Sequence, residues 1–274
     1  MPDPPYAQDT LRFVAAEVRF PVVEALGVQV PQAFRDRLRE RFPIQEPLNQ
    51  MTFTVGATGP TGPLAQQAIR QRFMPRDRLM SVTVGHDAVV LETTAYETWT
   101  DFRDLFMEVL SGLADAQRPD GYLRLGLRYV DEIRVPEEVP TVADWRGWVA
   151  DALVEPFTID DTAPPTSATI ALQYGQYPGY QTLFRAAPFA SGRTVQDEGP
   201  LLVPFATPDG PYFLLDTDSS WFDPQSAVPE FDVAAMAEMF NKLHAPCKRL
   251  FERSLGQRLR PEVLDHLREE VWGK

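Results

Sequence analysis

The run of residues 123–135 limits the possible fold more than any other stretch. Leu123, Leu125, Leu127, Tyr129, Ile133 and Val135 alternate with Arg124, Arg128, Glu132 and Arg134. A period of two is that of a half-buried β-strand with an apolar floor and a charged roof. At ~3.3 Å per residue it would span about 43 Å, so a bend is expected, at Gly126.

Upstream, residues 13–21 alternate in the same way and stop at Pro21. Pro31 then opens an amphipathic helix, with Phe34, Leu38 and Phe42 on one face and Pro43 as its end. Short strands are expected at 51–55, 68–74, 79–85 and 88–94, with a Gly/Pro-rich loop at 56–63 and a hairpin turn at His86-Asp87. Trp99, Phe102, Phe106, Val109, Leu110 and Leu113 mark a long helix. From Leu123 the order returns: a strand, a helix at 142–154, strands at 169–176, 181–187, 201–205 and 212–218, and a long helix at 232–255. Pro261 is expected to open a short terminal helix.

The repetition extends to residues. Glu17-Val-Arg-Phe-Pro21 matches Glu132-Ile-Arg-Val-Pro136, and Val90-Leu-Glu-Thr-Thr94 matches Leu214-Leu-Asp-Thr-Asp218, at offsets of 115 and 124. The expected fold is therefore α+β. Two tandem strand–helix–four-strand–helix lobes, residues 1–121 and 122–274, would form a pseudo-symmetric antiparallel sheet with helices on one face. That element order resembles the TATA-binding protein, which uses it twice; the likeness is architectural and carries no function.

Several functions are disfavoured. The net charge of −13 opposes non-specific binding to nucleic acid, although 23 of the 26 basic residues are arginine and could form a local patch. A single cysteine, Cys247, rules out an intramolecular disulfide and a Cys-rich zinc module. Neither a signal-peptide pattern nor a membrane-length apolar run is present, so a cytoplasmic location is the expectation. The sequence has no G-x-S-x-G, P-loop, dinucleotide fingerprint or H-E-x-x-H motif.

Three constellations could carry chemistry. His244 and Cys247 stand at i, i+3 on the last long helix, where they could ligate a metal or form a thiolate–imidazolium couple, or simply be core residues. Asp216 and Asp218 project from one strand face and could bind Mg²⁺ or act as acid and base, or be a solvated face. On the roof of the central strand, Arg128 could anchor a carboxylate or phosphate through its bidentate fork. It could equally belong to a ladder of intramolecular salt bridges.

With Leu127-Arg-Tyr-Val-Asp131, Leu215-Asp-Thr-Asp218, Leu243-His244 and Phe251 in view, the chain resembles a sporadically distributed family of uncharacterised bacterial proteins of about this length. The resemblance covers nearly the whole chain and includes an aromatic at the start of the mid-chain helix, here Trp99. Two positions depart: Asp131 stands where the family usually has Asn, and Ser254-Leu255 where it has Thr. The resemblance implies no activity.

The leading expectation is a non-catalytic accessory protein that binds a small molecule or protein partner and needs no cofactor or metal. Arg128, Tyr129, Asp131, Asp216, Asp218, His244 and Trp99 are its candidate site. The alternative is a hydrolase- or lyase-type enzyme with an acidic or His/Cys site in a cleft between the lobes.

Overall fold

The computed structural model describes residues 10–49, 55–56, 59–60, 69–135, 138–160, 168–194, 200–204 and 210–259. Its main element is one antiparallel sheet of nine strands. In chain order these are β1 (Leu11–Arg19), β2 (Ile44–Asn49), β3 (Ile69–Met74), β4 (Met80–Val84) and β5 (Ala88–Thr93). They continue with β6 (Arg124–Ile133), β7 (Ile170–Tyr177), β8 (Tyr180–Phe189) and β9 (Tyr212–Phe222). Across the sheet the order is β2-β3-β4-β5-β1-β6-β9-β8-β7. The helices are α1 (Glu24–Val28), α2 (Gln32–Leu38), α3 (Trp99–Gln117) and α4 (Val233–Ser254).

Alternation assigns every strand residue to one of two faces. Val14, Ala16 and Val18 of β1, with Leu125, Leu127 and Tyr129 of β6, are buried beneath α3 and α4 in the larger of two core clusters. Phe34 and Leu38 of α2 belong to that cluster, so the helix stripe read from the sequence faces inward. The smaller cluster joins Ile133, Phe184, Phe213 and Leu215 to Trp145, Trp148 and the end of α4. Thr98 caps α3 by accepting from the Asp101 N–H, and Asp232 caps α4 by accepting from Ala234 and Ala235. Among the described residues no helix is long and apolar enough to cross a membrane.

Two local expectations are corrected. Residues 142–154 form short 3₁₀ turns, Val142–Trp145 and Asp151–Leu153, rather than an α-helix. Gly147, at φ +81°, breaks the run, and the chain there packs closely on Gly256, whose N–H donates to Trp148 O. The four large apolar residues read as inward, Trp145, Trp148, Val149 and Leu153, are nonetheless buried. Residues 201–204 are not a strand; Leu202 bonds instead to Arg78 and Thr94. The central strand carries no bulge at Gly126: its registers with β1 and β9 run through that residue without a shift. The irregularity lies in the partner, between Leu11 and Phe13 of β1. A Cβ at 126 would stand 2.7 Å from the Arg124 guanidinium, so the glycine makes room for Arg124 to fold back to Glu17, at 2.6 Å.

The edge strand β2 was not anticipated from the sequence, and Pro47 within it is tolerated because an edge strand can lack a ladder donor. Residues 51–54 of one expected strand lie outside the described residues, as does the terminal helix at Pro261. Within the Gly/Pro-rich loop, Val55–Gly56 pairs with Gly59–Pro60.

Candidate ligand-binding site

The sheet face opposite α3 and α4 is lined by charge. Glu17 accepts from Arg19 and Arg124, and Arg124 also lies 3.8 Å from Asp218. Arg128 donates to both oxygens of Asp216, Nε to Oδ1 at 2.8 Å and Nη2 to Oδ2 at 3.0 Å. Arg185 donates to the same Oδ2 at 3.0 Å. The Asp216 side chain is 5% exposed, so two guanidiniums replace the water it has lost. The ladder of salt bridges is therefore present. It takes up two of Arg128's five donors and both oxygens of Asp216.

Above this face lies a cavity of about 380 Å³. Its apolar floor is Phe13 of β1, Val130 of β6 and Leu214 of β9. Thr194, Pro200 and Leu201, which lie between β8 and β9 in the chain, cover it. That cover is fastened at several points. Leu202 N–H donates to Arg78 O at 2.8 Å, and Thr94 Oγ1 donates to Leu202 O at 2.6 Å. The Thr194 N–H and hydroxyl both donate to Glu132, which is almost wholly buried. Arg134 donates to Gly192 O at 2.7 Å and Gly210 O at 2.9 Å, and to Glu132 beside them. Its guanidinium also lies 4.7 Å from the centre of the Tyr212 ring.

Arg72 of β3 and Glu92 of β5 supply the cavity's remaining charges. The Arg72 Nε is buried and has no hydrogen-bond partner, and no carboxylate among the described residues lies within 4.0 Å of the guanidinium. Thr83, opposite Arg72 in register and on the same face, also has a buried hydroxyl without a partner. Glu92 accepts from Ser81 Oγ at 3.0 Å. The arrangement can hold a molecule with an apolar body and charged ends, and Arg72 is the lining guanidinium with no carboxylate within 4.0 Å among the described residues.

The proposed site residues are divided by the sheet. Arg128 and Asp216 line the cavity. Asp218 shares their face, nearer Arg124, and burial raises its carboxyl pKa while Arg124 and Arg128 oppose that shift. Trp99, Tyr129, Asp131 and His244 lie on the helix-covered side. There the His244 ring stacks on Trp99 with centroids 4.4 Å apart, and its Nδ1 shares a 2.9 Å hydrogen bond with Tyr129 OH. Trp99 Nε1 donates to Asn241 Oδ1 at 3.0 Å. Burial, helped by Lys248, pulls the His244 pKa down to about 3, so the ring is neutral. Burial likewise pushes the Cys247 thiol pKa up, and its Sγ donates to Leu243 O. Neither is prepared as a nucleophile or charged partner. Among the described residues, no three His, Cys, Asp or Glu side chains converge in a way that could hold a metal ion.

No protein-family model matches this chain, and no curated protein does. The site rests on its geometry alone.

Arg72 is not among the residues the sequence singles out, because it belongs to no motif. Arg70-Gln-Arg72 reads only as a polar strand; what makes Arg72 matter is the order of the strands around it. Glu92 and Asp216, which the matched segments align with each other, both line the cavity.

Proposed function

We propose that this chain is a non-catalytic binding protein that takes a small anionic molecule into the cavity on the open sheet face. The observation that carries the reading is Arg72, a half-buried guanidinium lining that cavity with no carboxylate within 4.0 Å among the described residues; Glu46, opposite it on β2, lies 3.6 Å from Arg78 instead. A ligand carboxylate or phosphate would pair with this guanidinium through charge-assisted hydrogen bonds, worth about 1.5–3 kcal/mol each. The apolar floor supplies the affinity and the arginine the orientation. A thermal-shift screen of carboxylates and phosphates tests this, since a bound ligand raises stability by mass action. Members of the panel should raise the melting temperature of the wild type and not of Arg72→Gln. If no anion stabilises the wild type, or the variant responds equally, the reading is wrong.

We further propose that residues 1–121 and 122–274 are two copies of one unit, as in the TATA-binding-protein arrangement. Three registers support this. The offset of 115 carries β1 onto β6, and 124 carries β5 onto β9. Under them the pair Ala15–Glu92 becomes Val130–Asp216, which is also a pair in the sheet. Val14 stands opposite Tyr129, its own counterpart, and Ala15–Arg128 becomes Val130–Phe13. One pseudo-two-fold axis between Val14 and Tyr129 accounts for all of these. The matched pentapeptides carry matched ion pairs, Glu17–Arg19 and Glu132–Arg134, each at 2.9 Å.

We also assign the chain to the sporadically distributed bacterial family named above. Its two departures are chemically small. Asp131 is buried, and desolvation, opposed by Thr10 and Arg12, pushes its pKa up to about 7, so below neutrality it is uncharged, as Asn is. Ser254 donates to Leu250 O at 2.7 Å, a bond that a Thr hydroxyl can also make.

A further inference from the structure

We infer that the ligand is a zwitterion, its anionic group on Arg72 and a cationic group on Glu92; this rests on the cavity being a ligand site. The second half of the chain supplies an internal comparison. Asp216 and Glu92 occupy corresponding positions, on β9 beside β6 and on β5 beside β1. Asp216 is answered by two guanidiniums: Arg185, opposite it on β8, and Arg128 on β6. At the first of these places Glu92 has Ser81, opposite it on β4. At the second it has Phe13, since the offset that carries β1 onto β6 carries Phe13 to Arg128. No basic group among the described residues lies within 4.0 Å of Glu92. The same strand position therefore holds a carboxylate twice. Only once does the chain supply the cations.

The cavity reaches this place, and both Phe13 and Glu92 line it. An ammonium there would donate to the carboxylate oxygen that Ser81 does not use. Arg72 and Glu92 flank β4, on the same sheet face and opposite Thr83 and Ser81. Their Cα atoms are thus roughly 12 Å apart, from a ~4.8 Å strand spacing and a two-residue offset. Both side chains can reach one small molecule without meeting each other. Phe13, Val130 and Leu214 then take its apolar part. The ligand class is an amino acid or ω-amino acid with an aliphatic body.

Isothermal titration of the full chain with matched probes tests this. Leucine and 6-aminohexanoate carry both charges at short and long separation; 4-methylpentanoate lacks the ammonium and 3-methylbutylamine the carboxylate. At least one zwitterion should bind tenfold or more tighter than both singly charged probes. Glu92→Gln, close to isosteric, should lower zwitterion affinity to that of the plain carboxylate, and Arg72→Gln should abolish both. If 4-methylpentanoate binds as well as either zwitterion and Glu92→Gln changes nothing, the zwitterion inference fails while the anion site stands. If none of the probes binds, or Arg72→Gln has no effect, both fall.

Discussion

Replacing Asp131 with asparagine should change the pH dependence of stability in a way that the wild type conceals. Asp131 is 5% exposed, and its pKa is pushed from 3.8 up to about 7. The folded chain therefore holds a proton that the unfolded chain has lost. Stability from this group is fully present below about pH 4 and is lost as the pH rises through 7. His244 works in the opposite sense. With its pKa lowered from 6.5 to about 3, it gives stability that is present above the first value and lost as pH falls toward the second.

Between about pH 4.5 and 6 the two slopes, each about 1.4 kcal/mol per pH unit, cancel. The Asp131→Asn side chain keeps an oxygen to accept from Thr10 Oγ1, as Asp131 Oδ1 does at 3.1 Å, and cannot ionise. The variant should match the wild type near pH 3.5 and gain on it through the acid range. The gain should level off above pH 7 at about 4 kcal/mol. Urea denaturation at half-unit steps from pH 4.5 to 8, with the m-value held constant, measures this. Parallel profiles for the two proteins would refute the buried, proton-retaining carboxyl. A variant less stable at pH 8 would do so as well.

Other outcomes follow from the same geometry. Arg134→Ala leaves Glu132 buried with part of its compensation gone, and should cost about 3 kcal/mol. It should also speed hydrogen exchange at Thr194 and Leu202, whose amides fasten the cover. Tyr129→Phe removes the bond to His244 and should cost about 1 kcal/mol in chemical denaturation. Its affinity for any carboxylate that binds the wild type should stay unchanged, because Tyr129 faces away from the cavity. Cys247 should react with an aromatic disulfide reagent only at the rate of global unfolding, and a fast native-state reaction would contradict its burial.

The sequence revealed those elements whose local period agrees with their environment. The strand around Leu127 was readable because β6 has a core on one face and ion pairs on the other. The long helix ending at Ser254 was readable from its apolar stripe and from Asp232 at its cap. The 3₁₀ turns between Val142 and Phe157 were not, because inward-facing tryptophans fit a helix and the effect of Gly147 depends on contacts with residues a hundred positions away. The candidate site was legible only in part. Arg128 and Asp216 were recognised by residue type, yet their pairing on adjacent strands satisfies them. His244 and Tyr129 were grouped with them because sequence does not say which face of the sheet a helix covers. Arg72 acquires meaning only from what is missing around it. Such an absence is a property of the assembled sheet.

The most direct test of the central claim is to watch the arginine Nε–H groups by ¹H–¹⁵N NMR, with Arg72→Gln and Arg128→Gln used to assign the two resonances. Titration with 4-methylpentanoate or 6-aminohexanoate should move the Arg72 Nε–H saturably. The Arg128 Nε–H, already bonded to Asp216 at 2.8 Å, should stay in place. A shift of Arg128 with Arg72 unmoved, or no shift of either, would contradict the account.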